Sequence, residues 1–346
     1  MFAQVESSLA KLVTMQNLSL KMALLTAILL SPHIVSAEHV ELANGDVYDG
    51  DLEDGRKSGL GIYIWADGNR YEGEFRGDRL HGEGTYVWSD GRTYTGQFVR
   101  DRREGNGTLM WLNGDRYEGE FLRNQMHGQG EFTWANEDVY VGTFVVGDRT
   151  GKGNFVWHSG EEYAGDFVNN LPEGQGSYRW SDGRQFIGSF SAGKKTGQGI
   201  FLWPNGNRYY GDFADDVRAG AGVFYWRDGT VYRGQFDANK MHGWGIKRQP
   251  DGPLEVQHWL TGELSESQPV VARERCVLMY MERAWMFDSG QCINGLAHGS
   301  GVAASLDGSL IIPDGRFVLG QWVAGAVLTL PAEDNAAAAL NQVDGR

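Results

Sequence analysis

Apolar and polar positions repeat every 23 residues from Tyr48 to Leu254, nine times and without insertion. Taking Tyr48 as slot 1, that slot falls at Tyr48, Tyr71, Tyr94, Tyr117, Tyr140, Tyr163, Phe186, Tyr209 and Tyr232. Slot 5 is Leu52 in the first unit and Phe thereafter. Slot 18 is Trp from Trp65 to Trp226 and Gln249 in the last unit, and slot 16 is Tyr, Phe or Leu except at Lys247. Slots 3, 12, 14 and 21 are Gly, with Glu137 as the one exception. A fixed period of this length marks a repeat array whose units bury their apolar faces only by stacking.

Slots 1, 3 and 5 alternate with a period of two, as do slots 14, 16 and 18, which is strand geometry and not helix. Between slot 18 and the next slot 1 lie turns such as Ser89-Asp90-Gly91, Leu112-Asn113-Gly114 and Pro204-Asn205-Gly206. Glycine accepts the positive φ such turns need. A three-residue loop pairs slot 18 with slot 22 and slot 16 with the next slot 1. Directly opposed residues share a face, so slots 1, 5, 16 and 18 all point the same way. A two-residue loop would split the rings between faces, so the aromatic match selects the first register. The expected fold is all-β: an elongated single-sheet solenoid of stacked antiparallel β-hairpins, with a short N-terminal signal helix. Eighteen strands at about 4.8 Å each give a sheet roughly 85 Å long.

The ends depart from the period. Residues 38–47 form a capping half-repeat, with Val40 to Asp46 fitting slots 16 to 22. Residues 48–254 are the nine full units. Past them, residues 265–275 read as a linker, and Gly290, Cys292, Gly299, Gly301 and Gly308 return in slots 3, 5, 12, 14 and 21 of a degenerate tenth unit. Phe317 opens another fragment. Residues 255–330 are expected to close the sheet as degenerate repeats and a C-terminal cap, or to form a dimer surface. Residues 331–346 read as a flexible tail. At the front, Met22 to Leu30 is a short apolar run preceded by Lys21, and Val35-Ser36-Ala37 has the small-x-Ala pattern of a cleavage site. Residues 1–37 therefore read as a signal peptide cut after Ala37, with export to a periplasm or the extracellular space. A membrane anchor over residues 22–36 is the alternative, although the run is short for a span. The translation start falls at Met1, Met15 or Met22.

The formal charge of −14 argues against nucleic-acid binding. Basic residues nevertheless gather in slots 9 and 10: Arg56, Lys57, Arg79, Arg102, Arg103, Arg149, Lys194, Lys195, Arg218 and Lys240. These slots are assigned to the longer loop of each hairpin, where they would line one edge as a ridge for an anionic phospholipid, an anionic glycan or an acidic partner. The bland alternative is a solvated edge that discourages strand addition. Acids gather at the opposite turn, among them Asp67, Asp90, Asp115, Asp138, Asp182 and Asp228. His81, His127, His242 and His298 share slot 11, but adjacent members lie four or more strands apart, roughly 19 Å, too far to share a metal ion. Cys276 and Cys292 are the only cysteines and form a candidate disulfide in an exported chain. No nucleophile and base arrangement, metal spacing or cofactor fingerprint occurs, so no catalytic, cofactor or metal residue is assigned. An enzyme site among Cys276, Arg283, Cys292 and His298 is the least favoured reading.

Tyr-x-Gly-x-Phe followed by Gly-x-Gly, nine times over, resembles the MORN (membrane occupation and recognition nexus) repeat. The resemblance implies a β-hairpin solenoid used as a scaffold, as a dimerising rod or at membranes, with anionic phospholipid as a proposed ligand and no family-wide catalytic residue. The expected function is a non-enzymatic scaffold of the cell envelope that bridges or spaces partners, with a protein partner or self-association. A binder of anionic lipid or glycan through the basic ridge is the alternative.

Overall fold

The computed structural model describes residues 38–270, 276–278, 280–281, 285–288 and 291–330. The signal-peptide or anchor reading of residues 1–37, its helix, the tail 331–346 and Arg283 lie outside them. Among the described residues the chain is all strand, in a 21-stranded open sheet and a second six-stranded sheet.

The large sheet begins with β1 (Glu38–Glu41), β2 (Val47–Glu53) and β3 (Arg56–Ile64), continues through β4 (Arg70–Arg76) and β5 (Arg79–Val87), and ends with β20 (Leu254–Leu260) and β21 (Glu263–Val270). Each strand pairs antiparallel with the next in sequence, so the sheet is a continuous meander. The register between units follows the aromatic match: Tyr86 opposes Tyr94 and Gly84 opposes Gly96. At the connecting turn the Trp88 N–H donates to the Arg92 carbonyl and the Gly91 N–H to the Trp88 carbonyl, both at 2.9 Å. Gly91 sits at φ +88°, in the left-handed region that a side chain would strain. β1 joins this scheme as half a unit, with Val40 opposite Tyr48 and the Leu42 N–H bonded to the Asp46 carbonyl.

All slot 1 and slot 5 rings share one face. The slot 1 tyrosines are 0–2 % exposed, and those between the two end units pack edge-on between two phenylalanines, as Tyr71 does at 5.1 Å from both Phe75 and Phe98, while Tyr232 lies between Phe236 and Trp259. The ring lies flat over the Gly73–Gly84 pair, where a Cβ on Gly84 would stand 2.3 Å from the Tyr71 Oη. The hydroxyl then donates to a backbone carbonyl of its own strand, that of Glu74, at 3.0 Å. Burial pushes the Tyr71 phenol pKa well above its ordinary value, and the neighbouring Glu74 carboxylate adds to the shift.

Within each hairpin the structure departs from the expected long loop. Gly73 opposes Gly84, but Glu74 then opposes His81 and Phe75 opposes Leu80. The two residues skipped, Gly82 and Glu83, form a β-bulge, with Gly82 at φ +56°. The Glu83 N–H freed there is accepted by the Glu74 carboxylate at 3.1 Å. The bulge shortens the loop to two residues, Gly77 and Asp78, both left-handed at φ +57° and +71°, as a type I′ turn requires. Slots 9 and 10 consequently begin a strand, and their side chains alternate between the outer and the aromatic face.

The C-terminal strands do not close the sheet. β20 and β21 extend it through much of the expected linker. Then β22 (Trp285–Asp288), β23 (Gln291–Ile293), β24 (Leu296–Ser305), β25 (Leu310–Val318), β26 (Gln321–Ala324) and β27 (Leu328–Thr329) form the second sheet. Its Val302, Ala304, Ile311 and Leu330 pack against Ile246 and Val256. These two belong to the non-aromatic face, so the second sheet is a second layer over the last units. Buried Arg233 also holds it, donating twice to the Asp307 carbonyl at 3.3 Å.

Candidate functional site: a cation-bridged aromatic trough

The aromatic face is a shallow trough running across the strands. The slot 18 tryptophans form one wall, half-buried and tilted against the slot 16 rings, as Trp65 is between Tyr63 and Tyr86 at 4.7 and 5.1 Å. The slot 10 side chains form the other wall.

The ten basic residues of slots 9 and 10 are not brought together as one ridge. Arg56, Arg79, Arg102, Lys194 and Lys240 are exposed on the outer side. Two of them meet acids there, Lys194 with Asp215 at 2.9 Å and Arg79 with Asp101 at 4.0 Å. Lys57, Arg103, Arg149, Lys195 and Arg218 fold over the aromatic face instead. The Arg103 guanidinium lies 5.4–5.5 Å from the ring centres of Trp88, Tyr94 and Phe121 and donates to the Asn124 carbonyl at 2.6 Å. Arg149 lies over Trp134, Tyr140 and Phe155, and Arg218 over Trp203, Tyr209 and Phe224. The Lys57 ammonium is 4.8 Å from the Tyr63 ring and 3.6 Å from Asp78, and Lys195 is 5.3 Å from Trp180 and 2.8 Å from Asp216. Such placement over ring faces is attractive for cations. Burial lowers the guanidinium pKa of Arg103, Arg149 and Arg218, and the adjacent slot 1 tyrosine opposes that shift. Arginine remains charged at any physiological pH.

From the first unit to the seventh the slot 10 cations recur every second unit, and Arg218 in the eighth follows Lys195 directly. Lys57, Arg103, Arg149 and Lys195 alternate with Leu80, Met126 and Pro172. Lys57 lies over Tyr63 and Arg149 over Phe155, each of its own unit, and Tyr63, Leu109 and Phe155 are buried, whereas Phe201 in the unit of Lys195 is half-exposed. In the intervening units the rings of Tyr86, Phe132 and Tyr178 stay half-exposed. Open apolar seats thus alternate with cationic bridges. A cavity of about 400 Å³ lies between Lys57, Trp65, Leu80 and Tyr86. Another of about 400 Å³ lies between Trp180, Lys195, Trp203 and Arg218, and a smaller one of about 260 Å³ between Arg103, Trp111 and Met126.

Slot 8 carries a role that sequence reasoning missed. The Asn124 Oδ1 accepts the Arg103 N–H at 2.8 Å, and Asp101, Asn170 and Asn239 do the same for Leu80, Arg149 and Arg218 at 2.9 Å. Each left-handed turn residue therefore ties its hairpin to the preceding one and sets the slot 10 wall. The signal was present: slot 8 is Asn, Asp or Gly in every unit. On the opposite edge Asp115 and Asp138 accept the Ala135 and His158 N–H groups at 2.8 Å. The acids gathered at that turn are in part structural ties.

The cysteines are not joined. Cys276 is buried and Cys292 exposed. Cys292 pairs with Ala297 on one side of β24, while the Ala297 N–H donates to the Val277 carbonyl on the other. Segments on either side of one strand lie roughly 9 Å apart, beyond the reach of a disulfide. The His298 Nδ1 accepts the Leu319 N–H at 3.4 Å.

No curated protein matches the chain. Among solved structures, the G-box domain of the microcephaly protein CPAP is similar at 15 % identity, over 61 % of this chain and 98 % of that one, with a TM-score of 0.24. Virginiamycin B lyase from Staphylococcus aureus is similar at 9 % identity, over 78 % of this chain and 91 % of that one, with a TM-score of 0.15. Likenesses this slight carry no argument. The MORN repeat profile, in contrast, matches nine consecutive segments: 48–70, 71–91, 94–116, 117–139, 140–162, 163–183, 186–208, 209–231 and 232–253. They span more than half of the chain and coincide with the hairpin units seen in the structure, and on that ground the chain belongs to the MORN repeat family.

Proposed function

We propose that the protein is a non-catalytic scaffold of the cell envelope that docks a partner protein along the aromatic trough. MORN repeats mark a repeat-based scaffold or interaction protein. The observation that carries the finer reading is the trough itself. Its half-exposed rings and cations recur from unit to unit, so one elongated partner can be held at many points, each contact raising the effective concentration of the next. Aromatic and arginine side chains dominate the energetics of protein interfaces. The apolar run Met22 to Leu30 and the Val35-Ser36-Ala37 pattern support an exported location. The lipid or glycan reading rests on the outer cations, which stand on the exposed side away from the aromatic rings and so offer charge without an apolar seat beside it.

A photo-crosslinking residue placed at Tyr86, Phe132 or Tyr178 in living cells tests this. It is expected to give one saturable protein adduct, recovered from the envelope with the scaffold beginning at Glu38. The same residue at Thr85, Glu131 or Ser177, on the opposite face, is expected to give none. Equal capture from both faces would overturn the trough, and a retained N-terminus would overturn the location.

A further inference from the structure

The spacing of the trough selects what can lie in it. Each unit advances two strands, roughly 9.6 Å, so apolar seats recur every ~19 Å with a cation midway between them. An α-helix covers that period in about 13 residues, or roughly three and a half turns, so its side chains one period apart face opposite ways. An extended β-strand covers it in about six residues and returns to the same face, but the residue halfway along points away from the trough. A polyproline II helix has three residues per turn and rises about 3.1 Å per residue, so one turn is about 9.3 Å. It therefore presents every third residue to the trough, once per unit, and meets both the seats and the bridges.

Resting on the reading of the trough as the docking face, we infer that it takes a polyproline II segment of a partner protein, with an apolar residue at every sixth position and an acidic residue midway between. The acidic residues meet Lys57, Arg103, Arg149 and Lys195. The apolar residues enter the seats formed by Tyr86 with Leu80, Phe132 with Met126, and Tyr178 with Pro172. Aromatic-lined grooves suit this conformation because it is already extended and loses little entropy on binding. Charge complementarity is local: the chain is acidic overall, whereas the trough wall carries Lys57, Arg103, Arg149, Lys195 and Arg218, with Asp78 beside Lys57 and Asp216 beside Lys195.

The test uses the mature array and a synthetic probe, three copies of Pro-Pro-Glu-Pro-Pro-Leu, followed by tryptophan fluorescence. Saturable binding is expected. A probe of the same composition with Glu and Leu adjacent is expected to bind at least about tenfold more weakly, because its charges no longer fall on the bridges. Arg103→Met with Arg149→Met keeps apolar length and removes charge, and is expected to cost about tenfold or more. Met126→Glu should weaken binding as well. Arg79→Glu with Arg102→Glu, on the outer side, should not. Equal binding of the two probes, or loss only in the outer variant, overturns the inference. So does tighter binding of an acidic polysaccharide than of the probe. If the crosslinker at Phe132 captures a protein while the periodic probe fails to bind, the docking face stands and the polyproline II assignment falls.

Discussion

Replacing Gly130 with valine is expected to break the rod in two. A Cβ at Gly130 would stand 2.5 Å from Cε2 and Oη of Tyr117, closer than real contacts allow. The ring cannot yield: Tyr117 is fully buried, with Phe121 and Phe144 each 5.1 Å away and edge-on. Nor can the backbone yield, because the Gly119 Cβ position is already 2.5 Å from the Gly130 Cα across the strand pair. Overpacking with some give costs about 1–3 kcal/mol; with none on either side the loss here should reach or exceed ~3 kcal/mol. In a solenoid each unit is stabilised by its neighbours, so a failed unit uncouples the two flanking blocks. Urea unfolding followed by tryptophan fluorescence should change from one transition to two, with hydrogen exchange fastest in residues 117–139. A single transition at an unchanged midpoint would show that the Tyr-over-Gly contact does not hold the array together.

Ile246→Asp is expected to release the second sheet while leaving the trough intact. Ile246 is 2 % exposed and lies between the non-aromatic face and Val302, Ala304 and Ile311. A carboxylate there stands opposite buried Arg233 on the paired strand, whose guanidinium already holds the Asp307 carbonyl of the second sheet. Drawing Arg233 away breaks that tie, and a buried carboxylate left unmet costs several kcal/mol. The sheet would separate instead, carrying Trp285 and Trp322 with it and exposing residues 285–330 to proteolysis. The slot 18 tryptophans, on the other face, should keep their spectral signature. Continued protection of residues 285–330 in the variant would mean that the second sheet is held by something other than this contact.

The meander, its register between units and the burial of the slot 1 rings were legible in the sequence, because a 23-residue period that alternates in twos admits few other structures. The slot 21 glycines announced their own turn. The other end of each hairpin differs from the expected long loop, for a countable reason. An unbroken ladder outward from Gly73 and Gly84 ends in a four-residue loop that contains slots 9 and 10. The bulge at Gly82 and Glu83 removes two residues from that count and turns slot 10 inward. Bulges are local choices of the backbone, and here the only sequence marks were the slot 12 glycine and the slot 4 side chain that accepts the freed N–H. The consequence is functional: half of a basic edge becomes the wall of an aromatic trough.

The glycine spacing of the C-terminal region fits the array's slots and carries no mark of a second sheet; that mark lies on the opposite face of the array. That face does change. Slots 2 and 15 hold Glu72, Thr85, Glu118 and Glu131 in earlier units, but Ile187, Ile200, Tyr210, Val223 and Ile246 in later ones. Of these, Ile200, Val223 and Ile246 are buried. An apolar second face near one end requires a second layer there.

The arrangement of identical hairpins side by side is tested most directly by distances along the rod. Spin labels at Thr85 paired in turn with Thr108, Glu131, Asn154 and Ser177, all in slot 15, should give separations that rise by roughly 10 Å per unit without turning back. Separations that level off or shorten beyond two or three units would mean a closed or compact structure and would contradict the open sheet, and with it the trough.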